Sequence, residues 1–487
     1  MTDMIIEKFR HFRNSLFALF TYRADSTMDL IDAIAGQTSK ESTVKLSLSH
    51  LFRRTFSSIT DAVDNVFRRK ANQNPQPEEL KDERLKITKL FAEQCPKPLS
   101  RAFALFAIDC SSTPRIYSDK LEDRSIVHAP TKVFGQKPIT VGHQYSTLVY
   151  LPERLEASDS HWVIPLSTER VTTEGSGTLI GMEQITQLLT ETDFENLLCV
   201  LVDDSAYSNA KCTSKTIKLR NLVHISRIRN NRVFYTPLSA TDAPKGRGRP
   251  KIYGARWTLN NPGEANESIC IERYTKTGTL YLLKIEKWTD RLSKGDDDPP
   301  QNETEDKQTK ESFDAVRVTI YRENGEPLYK KPLWLMVTGN RRQEISLKDI
   351  AESYLQRFDI EHFFRFAKQK LLLTAFQTPD VRHEENWWWL SMTSYMMLYQ
   401  SRLLAMHTRN PWEKKRDERG IKKILSPSQV QRDYERIIGE IGTPACIPKP
   451  RGKSPGRSAG AQVVKRKNYP IIIKRNLELE DLMMAAA

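Results

Sequence analysis

At 487 residues, 39% hydrophobic and 28% charged, the chain is too long for one small domain and has the composition of a soluble globular protein with two to four units. Its 75 Lys and Arg against 61 Asp and Glu leave a net charge of +14, which favours a polyanionic partner, meaning nucleic acid or an anionic membrane surface. The six cysteines are scattered without a C-x2-C pair or a zinc-like histidine spacing, and read as thiols in a reducing cytoplasm.

Residues 1 to about 95 predict helices: Phe9–Phe20, Met28–Ile34, Leu48–Phe67 and Glu79–Phe91 each carry apolar positions at helical spacing. Such a bundle suits recognition of DNA ends or plain packing, and its 15 basic against 13 acidic residues do not discriminate. From Arg101 the pattern changes. The unbroken apolar run 102–108 has the look of a central strand covered on both faces; it ends in Asp109 before a turn-forming CSSTP. Strands Val141–Tyr150 and Trp162–Leu166, a helix Met182–Thr190 and a second apolar strand, Leu197–Val202, follow, the last ending in Asp203-Asp204. Acids at strand ends occupy the place where α/β folds put their ligand sites. A helix start after Asp204 and a strand Leu222–Ile228 complete this part.

Between about 230 and 337 short strand-like pieces recur, forming a β-rich insertion that holds an acidic, proline-containing loop, 296–311. Helices resume at Ser346 and continue through Glu384–Ala405. The stretch Trp387–Met406 is broken by serine, threonine, glutamine and arginine, so it reads as a core helix and not a membrane span. From 409 the chain is polar, with nine Lys and Arg and no acid between Lys449 and Arg475: an extended basic arm.

The stretch Tyr354–Lys368, YLQRFDIEHFFRFAK, spaces four groups as Y-x2-R-x3-E-x6-K. On one helix, Tyr354, Arg357, Glu361 and Lys368 fall within roughly 60° of one another. Phe358, Ile360, Phe364 and Phe366 around them call for burial, so the stripe needs partners. Taken alone, an Arg357–Glu361 ion-pair ladder explains it as well. Together with Asp109 and Asp204, 95 and 157 residues apart along the chain, Glu361 makes a third carboxylate that only folding can bring near the others. Three converging carboxylates in a basic protein suit hard divalent cations, and paired ions suit in-line phosphoryl displacement.

These residues resemble the DDE transposases of bacterial insertion sequences, in the group with the Y-x2-R-x3-E-x6-K signature. The resemblance covers roughly residues 100–400 and includes Asp109 in FAIDCSS and Asp204 in VDDSAY, where D-x-x-Y favours Asp204 over Asp203. It implies an RNase H-like α/β core, a mixed sheet flanked by helices, with an N-terminal helical domain (1–95), a core in two parts (96–230 and 338–408) split by the β-rich insertion (231–337), and a basic C-terminal arm (409–487). It implies that Asp109, Asp204 and Glu361 are catalytic and ligate two Mg2+ ions, Mn2+ being an alternative. Tyr354, Arg357 and Lys368 would contact phosphates of the transposon end. The implied activity is metal-dependent cleavage at element ends and strand transfer, by a homodimer or larger complex on DNA, in the bacterial cytoplasm with the nucleoid. A structure-specific nuclease or a catalytically inactive DNA-binding regulator of the same fold are the alternatives.

Other signals are local. Arg247 and Arg249 in GRGRPK resemble an AT-hook core and equally a basic turn. Arg365, near the stripe, adds a candidate phosphate contact, as do Arg227 and Arg229. Trp387-Trp388-Trp389 reads as core packing more than as a base-stacking platform, and His362, about 100° round the helix from Glu361, reads as structural.

Overall fold

The computed structural model describes residues 2–38, 42–68, 75–129, 137–154, 160–239, 253–275, 278–293, 311–407, 425–450, 456, 458–462 and 465–473. Arg247, Arg249 and nearly all of the acidic loop lie outside them.

Four helices open the chain: α1 (Thr2–Leu19), α2 (Ala24–Gly36), α3 (Ser57–Asn65) and α4 (Pro77–Ala92). Three of them match the apolar spacing. The exception is the long third helix expected from Leu48 to Phe67, of which only α3 forms, preceded by a short 3-10 turn at Thr43–Leu48. Arg53 and Arg54 explain the loss. Both guanidiniums reach the buried Asp29 carboxylate and the carbonyl of Cys446. Those long-range partners draw 49–56 into another course, outweighing modest helical propensity.

The sheet then forms from β1 (Ala104–Pro114), β2 (Ser125–His128), β3 (Ile139–Tyr150) and β4 (Ile164–Val171). It continues through α5 (Gly177–Glu191), β5 (Cys199–Asp203), α6 (Ala210–Lys218) and β6 (Leu222–Arg227). The apolar run lands where its hydrophobicity demands: β1 lies between antiparallel β3 and parallel β5, and β5 in turn pairs parallel with β6. The strand is longer than expected, however. Asp109 does not end it; Cys110 to Pro114 continue the ladder on β3, from Cys110↔Ser146 to Pro114↔Gly142. The polar side chains of this extension find partners, Ser112 donating to the His128 carbonyl and Thr113 accepting from the Trp388 indole. Gly142 permits the close approach, since a Cβ there would sit 2.1 Å from the Thr113 carbonyl oxygen. Ladder bonds thus override the turn tendency of Ser-Ser-Thr-Pro.

The remaining strands are β7 (Val233–Tyr235), β8 (Arg256–Thr258), β9 (Glu267–Tyr274), β10 (Leu280–Ser293), β11 (Ser312–Arg322) and β12 (Leu333–Thr338). They make no sheet of their own. β12 docks antiparallel on β6, and the result is one mixed 12-stranded sheet of order β2-β3-β1-β5-β6-β12-β11-β10-β7-β8, with β4 on β3 and β9 on β10. At its far end Phe234, Trp257, Trp288, Phe313 and Trp334 form a small second core. Arg317 lies over Trp288 and Trp334, and Arg291 over Trp257.

The chain returns through α7 (Leu347–Gln356), α8 (Phe358–Lys370), α9 (Val381–His407) and α10 (Pro427–Ile441). Helix α9 is the hub. Buried all round, it packs against α2, α10 and β4, so its lack of an apolar stripe follows from its place. Trp387, Trp388 and Trp389 are each 1% exposed; Trp387 stacks on Phe376 and Trp388 on Tyr145. One continuous hydrophobic core therefore runs from Phe9 in α1 to Ala445 after α10. No helix among the described residues is long and apolar enough to cross a membrane. The fold is a mixed α/β sheet flanked by helices, RNase H-like in architecture.

Candidate active site

Parallel pairing of β1 with β5 stops at Ala107↔Val202, so Asp109 on β1 and Asp203-Asp204 at the end of β5 emerge at one end of the paired strands. Alternation then sorts the side chains. Cys110 faces α5, where it would touch a Cβ placed at Gly177, while Asp109 faces the α7–α8 pair and meets Arg357. Asp203 is fully buried, with Oδ2 2.5 Å from His224 Nε2, and His224 Nδ1 lies 3.3 Å from Thr216 Oγ1. Asp204 turns the other way, partly exposed, and its Oδ1 accepts from the Ala206 amide in a local turn. Tyr207 shapes that turn from beneath: its buried ring packs against Gly181 of α5, where a Cβ would come within 2.7 Å of the hydroxyl.

The stripe from Tyr354 to Lys368 does not lie on a single regular helix. α7 ends at Gln356 and α8 begins at Phe358, with Arg357 between them. There the backbone bonds tighten to i→i+3, Arg357 N to Tyr354 O at 3.2 Å and Ile360 N to Arg357 O at 3.1 Å. Phe358, expected to be buried, is 46% exposed, while Ile360 and Phe364 are buried. The break has a consequence for charge. It sets Glu361 in the first turn of α8, where free amides favour a negative group, and Lys368 in the last, where carbonyls favour a positive one.

Arg357 is the centre of the cluster. Its Nη2 donates to Glu361 Oε1 at 2.8 Å, its Nη1 lies 3.6 Å from Asp109 Oδ2, and its guanidinium sits 5.8 Å from the Tyr354 ring centroid. Burial opposes that charge, but Tyr354, Asp109 and Glu361 more than compensate and raise its pKa. Burial pushes the Asp109 carboxyl up to about 6; Arg357 pulls it down, and the negative charges of Asp204 and Glu361 push it further up. The three acids thus feel one another through space. Burial holds Lys368 below its usual range, with Asp109 pulling the other way. Burial likewise pushes Asp203 up to about 6 against the pull of His224.

The folded chain therefore gathers Asp109, Asp204, Glu361, Tyr354, Arg357 and Lys368 on one side of β1. Arg227, exposed at the end of β6, lies within electrostatic reach of Tyr354, and Arg229 Nε is 3.3 Å from Ser205 Oγ. Glu361 keeps 37% of its side chain exposed and Asp109 24%, so the cluster is open to a ligand. The donor chemistry, two hard carboxylates on one guanidinium with a third within electrostatic reach, suits a divalent cation. Their spacing does not, as it stands, close into a metal cage: among the described residues no three Asp, Glu, His or Cys groups converge closely enough to hold an ion.

Sequence reading passed over two supports of this site. His224 sits inside an apolar strand and pins Asp203 away from the cluster; a single histidine within the apolar stretch 222–225 is the sequence signal. Asp359, fully buried on α8, is held by Arg154 and by His161 Nδ1 at 2.6 Å, and anchors the helix from behind. His362 stacks on His161, ring centroids 4.6 Å apart.

Fold and site together define an RNase H-like α/β protein with carboxylates assembled at the ends of its parallel strands. The chain belongs to the DDE superfamily endonucleases, whose family pattern matches residues 16–293. The matched span includes Asp109 and Asp204 and stops short of Glu361. No curated protein matches the chain.

Proposed function

We propose that the protein is a DNA transposase that cuts at the ends of an insertion sequence and joins the freed ends to target DNA. The observation that carries this reading is the approach of Asp109 and Glu361 to Arg357, with Asp204 within electrostatic reach of Asp109, in a chain of this family with a large basic surplus. In this reading the three carboxylates hold two divalent cations, Mg2+ or Mn2+. Bound there, such ions neutralise the scissile phosphate and acidify the attacking water or 3′-hydroxyl.

The chain's own groups do the rest. Asp109, its pKa pushed up to about 6 by burial, is ionised near neutral pH and would hold a cation in that form. Arg357, paired with Glu361 and beside Asp109, carries a planar fork that suits a phosphate. Tyr354 supports that guanidinium, and Lys368, short of a full ion pair, supplies a second positive contact. Asp203, turned to His224, positions the end of β5 and takes no part in binding. Two DNA ends require two such sites, so the working form is a dimer or larger.

The test incubates purified protein with Mg2+ and the DNA flanking its gene, comparing wild type with Asp109→Ala and Glu361→Ala. Cleavage with joining in the wild type, lost in both variants, is the expected result. Cleavage without joining identifies a nuclease, and binding without cleavage a regulator; either overturns the transposase reading.

A further inference from the structure

Strand β9 is an edge of the sheet. It pairs with β10 from Leu280↔Tyr274 to Lys287↔Glu267, and among the described residues no strand pairs with its other side. The remaining edges are shielded or short. Thr88 of α4 donates to the Leu166 carbonyl of β4, the segment Tyr469–Ile472 runs beside β2 with Ile472 bridged to Ser125, and β8 has three residues. β9 offers eight residues of ladder instead. Its side chains alternate: Ile269 and Ile271 are half-buried against the main core, while Ser268, Cys270 and Glu272 are exposed on the outer face. An open edge of this length is a template for another strand.

The residues of the edge say which strand. Run antiparallel against a second copy about Cys270, the stretch Glu267–Arg273 is complementary to itself. Glu267 then stands opposite the other copy's Arg273, Ser268 opposite Glu272, Ile269 opposite Ile271, and Cys270 opposite itself. Opposite charges meet, a hydroxyl meets a carboxylate, and apolar groups meet apolar groups. Moving the centre to Ile269 sets Glu267 against Ile271, and moving it to Ile271 sets Ile269 against Arg273, so both neighbouring registers are worse. We propose that β9 is a homodimer interface, joining two copies by antiparallel β9–β9 pairing centred on Cys270. Residues opposite each other in such a pair share a face, so the two-fold axis passes through the joined sheet. α7 packs on the Ile269–Ile271 side, with Glu352 within electrostatic reach of Arg273, and it leads directly into Arg357. Both acid clusters therefore lie on one side of the joined sheet, as two DNA ends held together require. That consequence rests on the transposase reading, whereas the pairing does not.

The test uses the full chain without DNA or metal. Cys446, the other exposed cysteine among the described residues, is first replaced by serine. Oxidation by copper phenanthroline should then join two chains through Cys270, because opposite Cα atoms about 4.5–5.5 Å apart suit a disulfide. Cys270→Ser should abolish that product. In sedimentation velocity Arg273→Glu should weaken the dimer about tenfold or more, since two ion pairs become two repulsions. Adding Glu267→Arg to Arg273→Glu restores opposite charges and should restore the dimer, a recovery that a fold defect would not show. A monomer at every concentration, a dimer without a Cys270 cross-link, or a double variant no better than Arg273→Glu overturns the proposal. Cross-linking and rescue in a protein that cuts no DNA support the interface and overturn the transposase reading alone.

Discussion

Asp109 illustrates how a single side chain carries both the chemistry and its cost. Burial and two neighbouring acids hold its pKa near 6 in the fold, against an ordinary value of 3.8. The sign follows from proton counting. Between pH 4 and 6 the folded protein keeps a proton that the unfolded chain has already released, so raising the pH through that window favours unfolding. Above pH 6 the ionised carboxylate is a standing cost to the cation-free protein. A two-unit shift carries roughly 3 kcal/mol, and with 24% of the side chain in contact with solvent the cost is about 1–2 kcal/mol. Asp109→Asn is therefore expected to abolish cleavage and yet raise the melting temperature at pH 7–8, the gain vanishing below about pH 4. Mg2+ should stabilise the wild type and leave the variant unchanged, by differential scanning calorimetry. The same scale explains the Asp203-Asp204 pair: strand alternation alone separates a buried residue facing His224 from one facing the cluster.

Among the elements, the longer strands match the sequence reading in type and order, because a hydrophobic run covered on two faces has few other folds available. β2, β7 and β8, of three or four residues each, carry too short a pattern to be read. Elements whose course depends on distant partners depart from that reading. The third helix failed at Arg53 and Arg54, whose partner Asp29 is 24 residues back, and β1 outran its predicted end because β3 offered a ladder. The break at Arg357 belongs with these, since local periodicity does not register a switch from i→i+4 to i→i+3 bonding. At the far end of the sheet, the tryptophan cluster gives β7, β8 and the ends of β10 to β12 a core separate from the main one. Trp334→Ala is expected to cost about 3–5 kcal/mol. Hydrogen exchange should show that loss first in β7, β8 and β11, with β1 and β5 still protected.

For the whole molecule, the N-terminal helices and the C-terminal helix α10 are tied to each other through α9 and through one buried ionic knot. Arg13 of α1 grips Asp32 of α2 with two bonds of 2.6 and 2.7 Å, and Tyr434 of α10 donates to the same carboxylate at 2.8 Å. All three side chains are at most 2% exposed. Asp32→Ala leaves a guanidinium buried without its partner, so the expected loss is about 3–5 kcal/mol. A urea titration should show it as one cooperative shift affecting α1, α2 and α10 together.

The sequence by itself determined the composition class, the strand-and-helix order of the core and the identity of the charged groups, because hydrophobic period and residue chemistry are local properties. It also singled out Asp109, Asp204 and Glu361 as a set, through a spacing pattern that one chain displays without folding. Only the tertiary structure decided that these acids share a space with Arg357 between two of them, and that the strands after β6 extend one sheet. Those facts depend on distances between residues hundreds of positions apart, and such distances are set by packing and ladder bonds rather than by neighbours along the chain.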